Sequence, residues 1–100
     1  MESIPRITIE RIEAFCRAWG VREFALFGSV IRDDFRSDSD IDVLVSLRPD
    51  APVSLWDWPL MVEELEQIFG RRVDLVEKEA IKNPYRRRAI LGSHRVLYAA

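Results

Sequence analysis

Three aspartates and a glycine–serine pair are the residues of this chain best placed to do chemistry. Asp40 and Asp42 flank Ile41 at the head of an apolar run that continues through Val43, Leu44 and Val45. Residues two apart in a strand share a face, so the run predicts two carboxylates side by side. Like charges that close raise each other's pKa unless a cation lies between them. From Asp33 to Asp42 there are five aspartates and one arginine, a cluster that is costly without compensation. Mg²⁺ prefers such oxygen ligands and completes its shell with waters and substrate phosphates. One ion would fit this pattern. Two ions about 4 Å apart could stabilise both the attacking and the leaving oxygen of a phosphoryl transfer. Taken alone, Asp-x-Asp is equally a solvated acidic turn capping Ile41.

Asp74 changes the balance. It is the polar residue inside Val73-Asp74-Leu75-Val76, a short apolar strand run. A carboxylate buried there needs a partner or a metal. If its strand lies beside that of Asp40 and Asp42, three carboxylates converge. The natural division is two metal ligands and a third that both ligates and accepts the proton of a nucleophile. A salt bridge to Arg71 or Arg72 is the plainer alternative. Gly28-Ser29 stands ten residues before Asp40. Glycine permits close backbone approach and an unusual φ. The amides opening a following helix can bind phosphate, and the Ser29 hydroxyl adds a donor.

These residues need elements to hold them. Thr8 is expected to cap a helix running to about Trp19, with Ile9, Ile12, Cys16 and Trp19 on one face and Phe15 beside them. Gly20 suits its C-terminal stop. Cys16 reads as a small core residue. Glu23 to Phe27 predicts a short strand and Ser29 to about Asp34 a short helix. Ile41 to Leu47 predicts the clearest strand, with Ile41, Val43 and Val45 on one face and Asp42, Leu44 and Ser46 on the other. Two prolines make 48–52 a loop. Ser54 or Asp57 caps the next helix, with Pro59 in its first turn. Met61, Leu65, Ile68 and Phe69 form its apolar face, and Gly70 ends it. Val73 to Val76 is a third strand. Asn83-Pro84 starts another helix, which Gly92-Ser93 interrupts. Residues 94–98 fit either a helical turn or an edge strand. The alternation predicts a mixed sheet with helices packed on it and at least one exposed edge.

Composition bounds the function classes. One hundred residues, 48% hydrophobic, suit one folded domain over residues 1–100. A net charge of −2 argues against direct nucleic-acid binding through a broad basic surface, but not against a nucleotide substrate. A single cysteine forms no intrachain disulfide and fits a reducing compartment. The N-terminus lacks a signal-peptide core and no apolar run reaches membrane-span length, so the cytoplasm is the default and no membrane is expected.

The pattern Gly28-Ser29, ten residues, Asp40-x-Asp42, then Asp74 in a later strand resembles the signature of the DNA polymerase β-like nucleotidyltransferase superfamily. The compact length is similar to its minimal nucleotidyltransferase (MNT) branch, over about Phe24 to Leu97. The resemblance implies an α+β fold of that type, with a small mixed sheet of three to four strands and helices mainly on one face. It implies that Gly28 and Ser29 bind the nucleotide triphosphate, that Asp40 and Asp42 bind Mg²⁺, and that Asp74 completes the catalytic and metal site. Arg32 matches an arginine that contacts phosphate or partner. Many members have glycine at the position of Asp33. MNT proteins commonly pair with HEPN-domain ribonuclease toxins, so the resemblance implies an antitoxin that moves AMP from ATP to a toxin tyrosine. The rival readings are a non-catalytic antitoxin acting by occlusion, and a small-molecule nucleotidyltransferase subunit needing a helical partner. A homo- or hetero-oligomer is compatible with either.

Other residues are less decisive. Trp56 and Trp58 could form a partner patch or staple a loop to the core. Arg86, Arg87 and Arg88 could contact phosphates, toxin or RNA, or form a solvated helix face. His94 lacks an evident catalytic partner. Tyr85 and Tyr98 are expected to pack.

Overall fold

A computed structural model describes residues 4–28 and 40–100 of the chain. Along it run α1 (Arg6–Trp19), β1 (Val21–Phe27), β2 (Ile41–Leu47), α2 (Trp58–Phe69), β3 (Val73–Glu77), α3 (Pro84–Leu91) and β4 (Arg95–Ala99). The four strands form one sheet in the order β3-β2-β1-β4. β1 is antiparallel to both neighbours, and β2 runs parallel to β3. This is the α+β architecture with a small mixed sheet that the sequence led us to expect. Parallel β2 and β3 need a crossover, and α2 supplies it.

The alternation in β2 decides which helices go where. Ile41, Val43 and Val45 are buried with Phe24 and Leu26 of β1 and Val73 and Leu75 of β3. Against them pack Ile12, Phe15 and Cys16 of α1 and Met61, Leu65 and Ile68 of α2. Phe15 meets Phe24 edge-on, with ring centroids 6.1 Å apart, the favoured geometry for an aromatic pair. The opposite face holds a smaller cluster of Ala25, Phe27 and Leu44 under Ile81 and Ile90 of the α3 region. Two helices therefore cover one face and the eight-residue α3 part of the other.

Several expectations shift in detail. α1 begins at Arg6 rather than after Thr8, because the Thr8 amide already donates to the Pro5 carbonyl at 3.0 Å. β1 starts two residues earlier, at Val21. Ser54 and Asp57 both act at the α2 entrance: the Asp57 carboxylate accepts from the Ser54 amide at 2.9 Å and hydroxyl at 3.0 Å, closing a 3-10 turn over Leu55–Asp57. Of residues 94–98, whose sequence fits either helix or strand, all but His94 fall in strand β4 (Arg95–Ala99), which pairs with β1. The expected helix from Ser29 lies outside the described residues. Cys16 is buried, and burial pushes its thiol up to about 12. It is a core residue without thiolate character.

A polar network ties the turn after β3 to the sheet. The buried Ser46 hydroxyl donates to Glu79 at 2.6 Å and accepts from Arg22 Nε at 3.0 Å. Lys78 bonds Glu23 at 3.1 Å, and Arg87 donates to the Lys78 carbonyl at 2.8 Å. Burial pushes the Glu79 carboxyl up, but the Ser46 hydroxyl, a backbone bond and the Arg22 guanidinium outweigh it and hold the group below its ordinary value. A carboxyl with a depressed folded pKa contributes stability above its unfolded pKa and loses it as pH falls through the folded one. Glu79→Gln should therefore flatten the acid limb of the stability–pH curve below about pH 4.5, as read by urea denaturation across pH; an unchanged limb would contradict the network's role.

Two helix stops allow a paired test of backbone strain. Gly20 and Gly70 adopt φ of +76° and +71°. A Cβ at Gly20 would lie 2.8 Å from Ala51 Cβ, whereas one at Gly70 meets nothing within 4 Å. Gly70→Ala should cost about 1–2 kcal/mol of left-handed strain. Gly20→Ala should cost about 1–3 kcal/mol more, from overpacking against the loop. Equal losses in chemical denaturation would refute the contact at Gly20.

Candidate active site

The sheet brings Gly28, Asp40, Asp42 and Asp74, the candidate site residues that are described, to one end. β1 leaves the sheet there at Phe27 and Gly28, and β2 and β3 enter it there. In register, Asp42 stands opposite Phe27 on β1 and opposite Asp74 on β3. Directly paired residues point to the same side of a sheet. Asp42 and Asp74 are thus neighbours on the face away from α1 and α2, where burying Ile41, Val43 and Val45 obliges them to be.

Gly28 closes the site from behind. Its φ is +73°, and a Cβ built on it would fall on Asp42 Oδ2, with Asp42 Cγ only 3.1 Å away. The Asp42 carboxylate occupies the space that any side chain at position 28 would need. Glycine is required here twice over, by conformation and by contact. Asp42 is half-buried and Asp74 exposed.

Two sequence expectations need correction. Asp74 is not buried: alternation in an edge strand turns it outward between buried Val73 and Leu75. The desolvation argument for a compulsory partner therefore falls away, and its claim rests on its register with Asp42. Asp40 is exposed and lies one residue before β2. Among the described residues no three His, Cys, Asp or Glu side chains stand close enough to hold an ion between them. The chemistry of the donor set still fits Mg²⁺, which needs only one or two carboxylates when substrate phosphates and waters complete its shell. Ser29, Arg32 and Asp33 lie outside the described residues.

The remaining candidates separate. His94 Nδ1 donates to the Leu91 carbonyl at 2.8 Å, which satisfies the end of α3. Arg87 is committed to the Lys78 carbonyl, while Arg86 and Arg88 are exposed. Trp58 packs against the main core, but Trp56 is 86% exposed. Tyr98 packs as expected. Tyr85 does not: it is 81% exposed on the first turn of α3, because Asn83 and Pro84 fix a helix start that faces it outward. The sequence reading missed Arg22 and Glu79. They are 57 residues apart, and no local periodicity links them.

Comparison with known proteins bears on the same residues. The family model described as a nucleotidyltransferase domain matches residues 9–97. The protein adenylyltransferase MntA of Thermococcus cleftensis is 39% identical over 85 residues, covering 77% of this chain and 84% of that protein. Among solved structures, a toxin–antitoxin complex with AMP-PNP superposes with a TM-score of 0.72 at 20% identity, over 92% of this chain and 73% of that one. A Shewanella oneidensis complex of a tri-AMPylated HEPN toxin with its MNT antitoxin gives 0.65 at 20% identity, over 95% and 72%. At that identity the structural likeness is one of fold. With a family match spanning residues 9–97 and a relative this similar over most of its length, the chain belongs to the nucleotidyltransferase-domain family.

Proposed function

We propose that this nucleotidyltransferase is a metal-dependent protein adenylyltransferase acting as an antitoxin: it moves AMP from ATP to a tyrosine of a cognate HEPN toxin. The observation that carries the reading is the pairing of Asp42 with Asp74, with the Asp42 carboxylate against the Gly28 backbone. The adenylyltransferase relative and the fold shared with toxin–antitoxin complexes support it. We read residues 1–100 as one minimal domain that works in the cytoplasm, where ATP and the toxin are available. In the described residues no helix is long and apolar enough to cross a membrane.

In the reaction, the tyrosine oxygen bonds to the α-phosphorus of ATP while the bond from that phosphorus to the bridging oxygen breaks and diphosphate leaves. Gly28, with Ser29 after it, would cradle the triphosphate through backbone amides and a hydroxyl. Arg32 would add a phosphate contact. Asp40, Asp42 and Asp74 would hold Mg²⁺, which when bound supplies charge for the phosphates. Asp74, exposed at the sheet edge, is open to take the phenolic proton.

Incubating the chain with the toxin encoded beside it, ATP and Mg²⁺ should add the mass of AMP to the toxin. Asp42→Asn and Asp74→Asn should each slow this by about 10²-fold or more, and excess EDTA should abolish it. Full protection of cells by an Asp42/Asp74 double variant would instead establish neutralisation by occlusion. Gly28→Ala should be as damaging as Asp42→Asn, since the added methyl displaces the carboxylate; near-normal transfer by Gly28→Ala would contradict the close approach described above.

A further inference from the structure

The outer edge of β3 is open, and a groove lies along it. β3 ends the sheet and pairs with β2 alone among the described residues. Beside it is a cavity of about 390 Å³ lined by Leu55, Trp58, Leu75, Val76, Ile81 and Arg86, among others. The lining comes from both sides of the strand: Leu75 belongs to the α1–α2 core and Val76 to the α3 cluster. The groove therefore wraps the edge of the strand rather than sitting on one face of the sheet.

Leu55 lines the groove, and large exposed side chains adjoin its lining residues in sequence, Trp56 beside Leu55 and Tyr85 beside Arg86. Leu55 and Trp56 are each 86% exposed, and Tyr85 is 81% exposed. Neither segment is a loose loop. Leu55 and Trp56 ride on the turn that the Ser54–Asp57 bonds close. Tyr85 opens α3, where its amide and that of Arg86 bond Asn83 Oδ1 at 2.9 and 3.1 Å. Trp58 is the aromatic in the lining itself, and aromatics at a concave apolar site dominate binding energy at interfaces.

We infer that this groove docks the acceptor: an extended segment of the partner protein adds as a strand to the edge of β3 and carries its tyrosine to Asp74. The inference rests on the adenylyltransferase reading above and names where its protein substrate binds. Three observations select this occupant. The Val73 amide is taken by Glu66, but beyond it Leu75 and Glu77 turn their N–H and C=O groups outward, which an extended backbone satisfies and a helix does not. Alternate side chains of such a strand would enter the Leu55–Trp58–Leu75 side and the Val76–Ile81–Arg86 side in turn, matching a groove lined from both faces. The groove is also continuous with the site, since Leu75 and Val76 follow Asp74 on the same strand and lie within about 7 Å of it along the chain. A tyrosine on the docked segment thus needs no second binding site to meet the carboxylate. Glu77 and Arg86 both line the groove, so an apolar segment with few charges fits it better than a strongly charged one.

The test uses the full chain and the HEPN protein encoded beside it. In Leu55→Ser/Trp56→Ser, both side chains are exposed and the fold should stand, as circular dichroism will show. The KM for the toxin should rise about tenfold or more, while AMP-PNP affinity with Mg²⁺ stays within about twofold. In the wild-type complex, the outward amides of Leu75 and Glu77 should exchange at least about tenfold more slowly than in the free chain. An unchanged KM for the toxin overturns the proposal. So does protection around Leu55–Trp58 without protection of β3, which would mean helix docking. If the wild type transfers no AMP, the adenylyltransferase reading fails. Calorimetric binding of the toxin then still decides the groove, by the loss or retention of affinity in the double variant.

Discussion

Everything at the candidate site depends on the register of β2. Three β-branched residues, Ile41, Val43 and Val45, are buried against α1 and α2. Each contributes about 1.5–3 kcal/mol of apolar burial. A slip by one residue would turn all three to the other face, and put Asp42 into the core. The hydrophobic effect, acting on one side of the strand, thereby fixes a carboxylate on the other. β3 is held to the same register by Val73 and Leu75, and the Val73 amide donates to Glu66 at the C-terminal part of α2 at 3.2 Å. Asp74 thus faces Asp42 as a consequence of core packing, without any direct attraction between the two.

The glycine behind Asp42 shows how a backbone can be part of a site. The left-handed turn at Gly28 ends β1 and brings the main chain against the Asp42 carboxylate. The same turn points the chain towards Ser29. In the proposed reading, a phosphate near Gly28 and a cation held by the carboxylates would be adjacent, so their opposite charges would offset each other's desolvation. In that reading, the site would be completed by the metal–nucleotide pair.

The two faces of the sheet divide the work. The α1–α2 side carries most of the core and no candidate catalytic group. The α3 side is thinner and more polar, and it holds Asp42, Asp74 and the Ser46–Glu79–Arg22 network. That network docks the turn after β3 onto β1 and β2, and Arg87 extends it to α3. α3 itself is short and polar, so these bonds and Ile90 keep it in place. The outer edge of β3 beside it, unpaired with any strand among the described residues, is the kind of exposure that folded proteins usually cover, which makes an interaction there physically economical.

The sequence by itself determined the local signals. Alternation marked β2 to the residue, from Ile41 to Leu47. Gly20, Gly70 and Asn83-Pro84 marked helix ends, because left-handed φ and proline at a first turn are chemical constraints on single residues. The spacing of Gly28, Asp40 and Asp42 marked the site. What depended on partners distant in the chain was decided only by the tertiary structure. Asp74 looked buried, because its neighbours are apolar, yet it lies outward on an edge strand; exposure depends on which strand ends the sheet. Residues 94–98 had no decisive periodicity, and Arg95–Ala99 became β4 because β1 offered an unpaired edge. Tyr85, expected to pack, is instead presented to solvent, and the groove beside β3 takes its lining from α2, β3 and α3 among other segments. No local pattern encodes such a surface, because it exists only where separate elements meet.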